Sequence, residues 1–385
     1  MNVMIYSDHF HPSLGGSENY ALDLATQLVA MGNNVTVVTA QPTNKEHDHP
    51  FNIFRIKKQT SLGKINFNFL EFPALVRRYN PDILHINYQT GGENLLIIIA
   101  RLFKIPIVLT YHADHVVPAG RLIDEAQKIS TFRFVNKILV QTERDKGRFL
   151  RKGIKSSKVV KLNFSGIDMK RYACKHKKSK NSSEIMLVCI ARLDRLHRYK
   201  GIDKLIDLMS DLQVSTKSSN IQLRIIGDGD LRESYENECK RRELSNVRFL
   251  GNLSEEEMIL EICNSAFLIL PSTNKSEGFG RVALEAISCG IPVIISKYAG
   301  FSELIGKYDA GLVFDPFEIG DLAENVVNVY QDNSLYSRLI ENSQLMIKEE
   351  ALSLEDAVSR TYDIYLQVLA TSRRNEPSWN GKKLK

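Results

Sequence analysis

Short runs of Val, Ile and Leu, each followed by a stretch of helical period, recur from one end of the chain to the other. A strand that is apolar throughout is buried on both faces, and the segments between such strands must cover them. The pattern therefore demands a parallel sheet with helices on either side. In the first half the strand runs lie at 3–7, 34–39, 51–56, 83–88, 107–111, 137–141 and 159–163, with helical patterns at 17–31, 67–79, 93–103, 121–134 and 143–152. Residues 169–182 (MKRYACKHKKSKNS) interrupt the alternation. They are polar, lysine-rich and aperiodic, which reads as a linker or surface loop. Alternation restarts with strands at 185–190, 222–226, 247–250, 267–270, 292–296 and 311–314, and helices at 201–212, 230–243, 254–263, 281–289 and 318–331. Two doubly wound α/β domains in tandem are expected, 1–168 and 183–352, with ligand in the cleft between them. Helical segments at 334–348 and 353–370 follow, and the polar tail from 372 is expected to be disordered.

Composition narrows the class. The chain has 385 residues, 43% apolar and 25% charged, an ordinary profile for a soluble globular protein. The first apolar run, 3–6, is too short for a signal sequence. The longest, 95–109, is broken by Arg101 and Lys104 and falls short of the ~20 residues of a membrane span. Five cysteines without a C-x-x-C pair read as reduced, buried thiols of a cytoplasmic protein. The net charge of +6 is uneven: residues 1–168 carry 21 Lys and Arg against 14 Asp and Glu, whereas 183–385 carry 24 against 31. The basic half is either a solvated surface or a face for an anionic membrane or lipid diphosphate. No basic helix with interleaved aromatics points to nucleic acid. The pairs His9/His11, His47/His49 and His112/His115 lack a second set of ligands, so no metal is expected.

The segment PSTNKSEGFGRVALEAISCGIPVIIS (271–296) carries the most chemistry. Glu277 lies on a loop, Gly278 and Gly280 bracket a turn, and Glu285 falls inside an apolar helix that precedes a buried strand. Bare N–H groups and the dipole at a helix start hold an anion such as a diphosphate, and carboxylates accept hydrogen bonds from sugar hydroxyls. A loop with an ordinary first-turn acid explains Glu285 poorly, because a buried acid needs a partner; ribose hydroxyls would supply one. In ARLDRLHRYKG (191–201), Arg192 and Lys200 flank a strand-to-helix loop and suit a leaving diphosphate, while Arg195 and Arg198 fit plain surface charge. Gly15 and Gly16 stand where the first strand turns into the first helix. They serve either a ligand or a plain turn with Ser17 as cap. His112 ends the fifth strand, as a sugar contact or a satisfied core histidine. Gly227 and Gly229 follow a strand as G-x-G, where a backbone contact to the donor nucleotide is expected, but Arg232 occupies the third-glycine place of a dinucleotide fingerprint. Asp228 and Asp230 read as turn residues.

Together these segments resemble a GT-B-fold glycosyltransferase of the large retaining family 4. The glycine loop, T-x-H strand end, NFSGID (163–168), R…KG loop, GDG turn, FLG (249–251) and Glu277-x7-Glu285 occur in family order. The resemblance implies two Rossmann-like domains, with helix 353–370 crossing back to the first. It implies that Glu277 binds donor-sugar hydroxyls, that the backbone of Gly278, Phe279 and Gly280 with the following helix start at Arg281 and Val282 cradles sugar and diphosphate, and that Glu285 binds ribose. Arg192 and Lys200 would hold the distal phosphate, His112 would lie by the sugar, and Gly15 and Gly16 would shape the acceptor and phosphate side as donor-binding residues. The loop before Lys200 is longer than in the simplest members. The Asn-Gly usual before Val/Ile-Asp is Ser165-Gly166 here, so those residues receive no role. The implied reaction is retaining, metal-independent transfer of a hexose-type sugar from a nucleotide-diphosphate donor to a glycan or lipid-linked acceptor in cell-surface polysaccharide assembly. No further cofactor is implied, and the place would be the cytoplasm, at the inner membrane face. A GT-B epimerase, a nicotinamide-dependent oxidoreductase and a nucleotide-sugar sensor stand as the alternatives.

Overall fold

The computed structural model describes residues 1–12, 15–43, 48–56, 71–88, 94–112, 131–174, 184–214 and 221–374. These divide into two compact units: Met1–Gly166 together with the chain from Glu355, and Ile167–Leu354.

The first unit is a seven-stranded sheet with every pairing parallel. Its strands are β1 (Asn2–Ser7), β2 (Asn34–Thr39), β3 (Asn52–Arg55), β4 (Ile83–Tyr88), β5 (Ile107–Tyr111), β6 (Lys137–Val140) and β7 (Val159–Lys161). Helices α1 (Gly16–Ala30), α2 (Phe72–Tyr79), α3 (Asn94–Leu102) and α4 (Glu143–Arg151) connect them. The order β3-β2-β1-β4-β5-β6-β7 reverses direction between β1 and β4. Ligands of open α/β sheets bind outside the carboxyl ends of the strands at such a reversal. Here that point is Ser7 opposite Asn87, with Thr110 next along.

The second unit is a six-stranded parallel sheet of order β10-β9-β8-β11-β12-β13. Its strands are β8 (Ile185–Ile190), β9 (Ile221–Ile226), β10 (Val247–Gly251), β11 (Phe267–Leu270), β12 (Val293–Ser296) and β13 (Gly311–Phe314). Its helices are α5 (Ile202–Val214), α6 (Arg232–Arg241), α7 (Glu255–Cys263), α8 (Arg281–Ser288), α9 (Ser302–Tyr308), α10 (Leu322–Gln331) and α11 (Asn333–Glu349). The order reverses between β8 and β11, so the loops after Ile190 and Leu270 flank the ligand position. Strands β11 (FLIL) and β12 (VIIS) are buried at every residue, and two apolar clusters cover the two faces of this sheet. Among the described residues no helix is long and apolar enough to cross a membrane.

Several expectations change. Ile167, at the end of the expected first domain, bridges Ser353 in the second unit, and the first residues of the expected linker follow it: Met169, Tyr172 and Cys174 pack on the core of that unit. This brings Cys174 to the end of α7, where it forms a disulfide with Cys263, 89 positions away in sequence. The expectation of five reduced thiols is thereby corrected; Cys189, Cys239 and Cys289 remain buried thiols. Residues 175–182 of the linker, most of the expected helix at 121–134, and His47 and His115 lie outside the described residues. Helix α9 has no counterpart in the expected elements, since its seven residues, SELIGKY, are too few to display a period. The last helix, α12 (Leu354–Arg374), runs past 372, where a disordered tail was expected, and residues 375–385 lie outside the description.

From Glu355 onward α12 belongs to the first unit, where it is held by a fully buried histidine. His85 Nδ1 lies 2.7 Å from Tyr365 Oη, while His85 Nε2 faces Thr110 Oγ1 at 3.3 Å and Tyr20 Oη at 3.4 Å. Burial pushes the ring from 6.5 down to about 3. The unfolded chain therefore takes up a proton that the fold refuses between those pH values. Stability from this site is complete above 6.5 and falls as pH drops, by up to about 1.4 kcal/mol per pH unit. Denaturant unfolding from pH 7 to 4 should show this slope, and His85→Gln, which keeps a hydrogen-bonding side chain without the titration, should flatten it.

Candidate functional site

In the second unit the site assembles on the loops that flank the β8/β11 reversal. After β8 the chain turns through a 3₁₀ segment, Arg195–Lys200, capped by Asp194, whose side chain accepts from the His197 amide. This turn carries Lys200 inward. Its ammonium donates to Glu277 Oε2 at 2.6 Å, and Ser272 Oγ donates to the same oxygen at 3.0 Å. The Lys200 and Glu277 side chains are 16% and 7% exposed, so this is a largely desolvated pair. Burial alone would push the Lys200 ammonium down; the Glu277 carboxylate outweighs it and holds it up. Tyr199, beside the pair, has its phenol pushed up to about 12 by burial. Arg192 is solvent-exposed near the start of the same loop.

The turn after Glu277 is fixed by its carbonyls. Gly300 N–H donates to Gly278 O at 2.8 Å and Phe301 N–H to Phe279 O at 3.0 Å, while the two phenyl rings pack with centroids 4.7 Å apart. Gly280, at φ 83°, is the N-cap of α8 and supplies no side-chain cap. A Cβ there would lie 2.8 Å from Leu270 Cδ2, and the positive φ itself strains any L side chain, so glycine is favoured. Helices α4, α7 and α11 are closed by Thr142, Ser254 and Asp332. Among the first amides of α8, Ala283 N–H donates to Gly280 O at 2.9 Å, and the helix start carries no side-chain cap, an arrangement suited to an approaching anion.

Glu285 is 4% exposed, and its partners are within the chain. Arg281 Nε, one turn earlier, lies 3.4 Å from Glu285 Oε1, and the Tyr172 hydroxyl also bonds this carboxyl. Burial still pushes the carboxyl up, against these two partners. The demand for a partner that the sequence read as ribose is thus met by a cation and a phenol. Gly227 and Gly229 are likewise explained by the chain itself. Leu193 N–H donates to Asp228 O at 3.0 Å, and a Cβ on either glycine would fall within 2.3 Å of the 191–194 backbone. The G-x-G turn braces the cation-bearing loop and needs no dinucleotide to account for it.

In the first unit Gly15 is the N-cap of α1 and Gly16 its first residue, with no side-chain cap; Ser17 lies inside the helix, donating to Glu18 Oε2 at 2.8 Å. His112 follows β5, with its ring centroid 5.1 Å from that of Tyr20 and 5.2 Å from that of Phe164. Its Nε2 lies 2.5 Å from Asn87 Oδ1. Asn87, Ser272 and Tyr172 are absent from the sequence-derived set. Only Asn87 left a signal: with His85 it places two polar side chains on one face of an otherwise apolar strand, and both are buried.

Comparison with known proteins fits this arrangement. Residues 14–168 match the model described as Glycosyltransferase Family 4, and residues 173–346 the one described as Glycosyl transferases group 1. An uncharacterized glycosyltransferase of Methanocaldococcus jannaschii is 32% identical over 166 residues, which is 43% of this chain and 44% of that protein. The N-acetyl-alpha-D-glucosaminyl L-malate synthase of Bacillus anthracis is 21% identical over 390 residues, 95% of this chain and 97% of the relative. The crystal structure of Anabaena HepE in complex with UDP superposes with a TM-score of 0.77 at 18% identity, over 95% of this chain and all of that one (100%). The likeness in structure establishes the two-domain GT-B fold.

Proposed function

We propose, for a chain that belongs to the family 4 glycosyltransferases, that it moves a hexose-type sugar from a nucleotide-diphosphate donor to a hydroxyl of a glycan or lipid-linked acceptor, with retention of configuration. One observation carries the reading: the buried Lys200–Glu277 pair stands beside the uncapped start of α8, at the sheet reversal where an α/β ligand binds. The UDP bound in the Anabaena neighbour supports a nucleotide-linked donor.

Each group then has a task. Glu277 accepts hydrogen bonds from donor-sugar hydroxyls. The amides at the start of α8 and the cations Lys200 and Arg192 take the charge that grows on the diphosphate as the bond from the anomeric carbon to its phosphate oxygen breaks. The acceptor oxygen bonds to that carbon from the same face and passes its proton to the departing phosphate oxygen, so configuration is kept without a covalent enzyme intermediate. Glu285 exchanges part of its hydrogen bonding to Tyr172 for ribose hydroxyls. In this scheme no step uses a metal.

A panel of UDP-, GDP- and ADP-hexoses, screened by calorimetry and then by transfer with the anomer read by NMR, tests the reading. The expected result is one preferred donor, a retained anomer, undiminished transfer in EDTA, and a rate about 10²–10³ lower in Arg192→Ala. An inverted product would rule out the same-face route, and binding of dinucleotide in place of any sugar nucleotide would rule out the transferase reading for this site.

A further inference from the structure

We propose that Asn87 is a positioning residue that fixes the His112 ring in its Nε2–H form, so that Nδ1 is the atom presented as a hydrogen-bond acceptor. The inference rests on the reading above only in taking a sugar nucleotide as the ligand.

The argument begins at a backbone carbonyl. Asn87 is fully buried at the carboxyl end of β4, on the sheet reversal of the first unit. An amide side chain can be turned either way, and its neighbours decide which. Asn87 Nδ2 lies 3.0 Å from Ser17 O, a backbone oxygen that can only accept. It also lies 2.8 Å from Ser7 Oγ, whose own proton goes to His9 O at 2.6 Å, so Ser7 too acts there as an acceptor. Both hydrogens of the amide are thereby assigned, and its nitrogen cannot be exchanged with its oxygen without facing two acceptors with an acceptor. Asn87 Oδ1 must then face His112 Nε2, and a carbonyl oxygen opposite a ring nitrogen requires a proton on that nitrogen. In the neutral imidazole the second nitrogen, Nδ1, keeps its lone pair. The rings of Tyr20 and Phe164 bracket the imidazole at tilted angles of 64° and 85° and hold its plane.

The consequence is chemical. A neutral His112 held this way offers an acceptor to a hydroxyl group, the donor that every sugar carries, and offers a second donor only when protonated. Because Ser17 lies in the first turn of α1, the same amide joins the orientation of His112 to the glycine-started helix.

Full-length protein with ¹⁵N-labelled histidines, the His112 signals assigned by their loss in His112→Gln, reads the tautomer directly. The expected wild-type spectrum above neutral pH has a pyrrole-type Nε2 and a pyridine-type Nδ1. In Asn87→Leu, which removes the acceptor, the two His112 signals should draw together as the tautomers exchange. A pyridine-type Nε2 in the wild type, or a tautomer unchanged in a folded Asn87→Leu, overturns the inference whatever the enzyme transfers. Addition of the panel of UDP-, GDP- and ADP-hexoses then separates the two readings. Movement of Nδ1 with a hexose-bearing nucleotide, and none with the free nucleotide, supports a sugar at this nitrogen. A fixed Nε2–H tautomer with no movement by any of them overturns the sugar contact and leaves the tautomer standing.

Discussion

Glu277→Ala should abolish sugar transfer and, independently, lower the stability of the second unit by about 3–5 kcal/mol. The stability loss follows from what remains behind: the Lys200 ammonium, 16% exposed and otherwise held by this carboxylate, becomes a buried charge without its counter-ion. Lys200→Met should cost a comparable amount by stranding Glu277, which keeps only Ser272 among the partners described for it. The informative variant is the double one. Glu277→Gln combined with Lys200→Met removes both charges while retaining volume, and replacing a buried pair with neutral groups of similar size is often close to neutral. Denaturant unfolding should therefore find the double variant more stable than either single one, while transfer stays undetectable in all three. Recovery of activity together with stability would mean that the pair holds the fold and does no chemistry.

The second large effect is expected at Gly227→Ala. The added methyl would sit 1.9 Å from Ala191 O, on a backbone at φ 131° that side chains rarely adopt. Ala191 cannot withdraw easily, because its own amide donates to Ile226 O at 3.0 Å as part of the β8–β9 pairing. Strain and overpacking together should cost about 4 kcal/mol or more, read as a lower unfolding midpoint or loss of soluble protein. Gly320→Ala, where a Cβ meets nothing within 4 Å, is the matched control and should be nearly silent. An equal loss at both positions would show that the close approach of the two loops is not what Gly227 serves.

Much of the fold was legible because strands buried on both faces cannot disguise themselves; β11 reads as an unbroken apolar run, and β5 and β12 each carry one polar residue, Thr110 and Ser296, in an otherwise apolar run. Strand order was not, since the neighbours β1 and β4 are joined by no local signal and meet only through tertiary packing. In the site, Lys200 and Glu277 were found separately by their loops, and nothing in their spacing said that they bind one another. Arg281 and Glu285 stand four apart on one helix, an ion-pair spacing visible in sequence. Tyr172 came from a segment whose lysines gave it the look of a linker, and its phenol was hidden among them. The Cys174–Cys263 bond joins residues far apart in sequence with no motif at either end, so it depends wholly on the fold that aligns them.

That bond divides the second unit topologically. It closes a covalent loop from Cys174 to Cys263 that contains β8, the Lys200 turn, the G-x-G brace and α7, and it leaves out β11, Glu277 and the whole of α8. The cation half of the site thus lies inside the loop and the carboxylate half on a tail leaving it. Closing a loop of this length restricts the unfolded chain by about 4–5 kcal/mol, and all of that restriction falls on the cation half. Beyond the peptide bond that leaves Cys263, the two halves meet through the β8–β11 pairing, the Thr273 bond to Tyr199 O and the Lys200–Glu277 pair. The boundary between tethered and untethered chain therefore runs through the ion pair of the site.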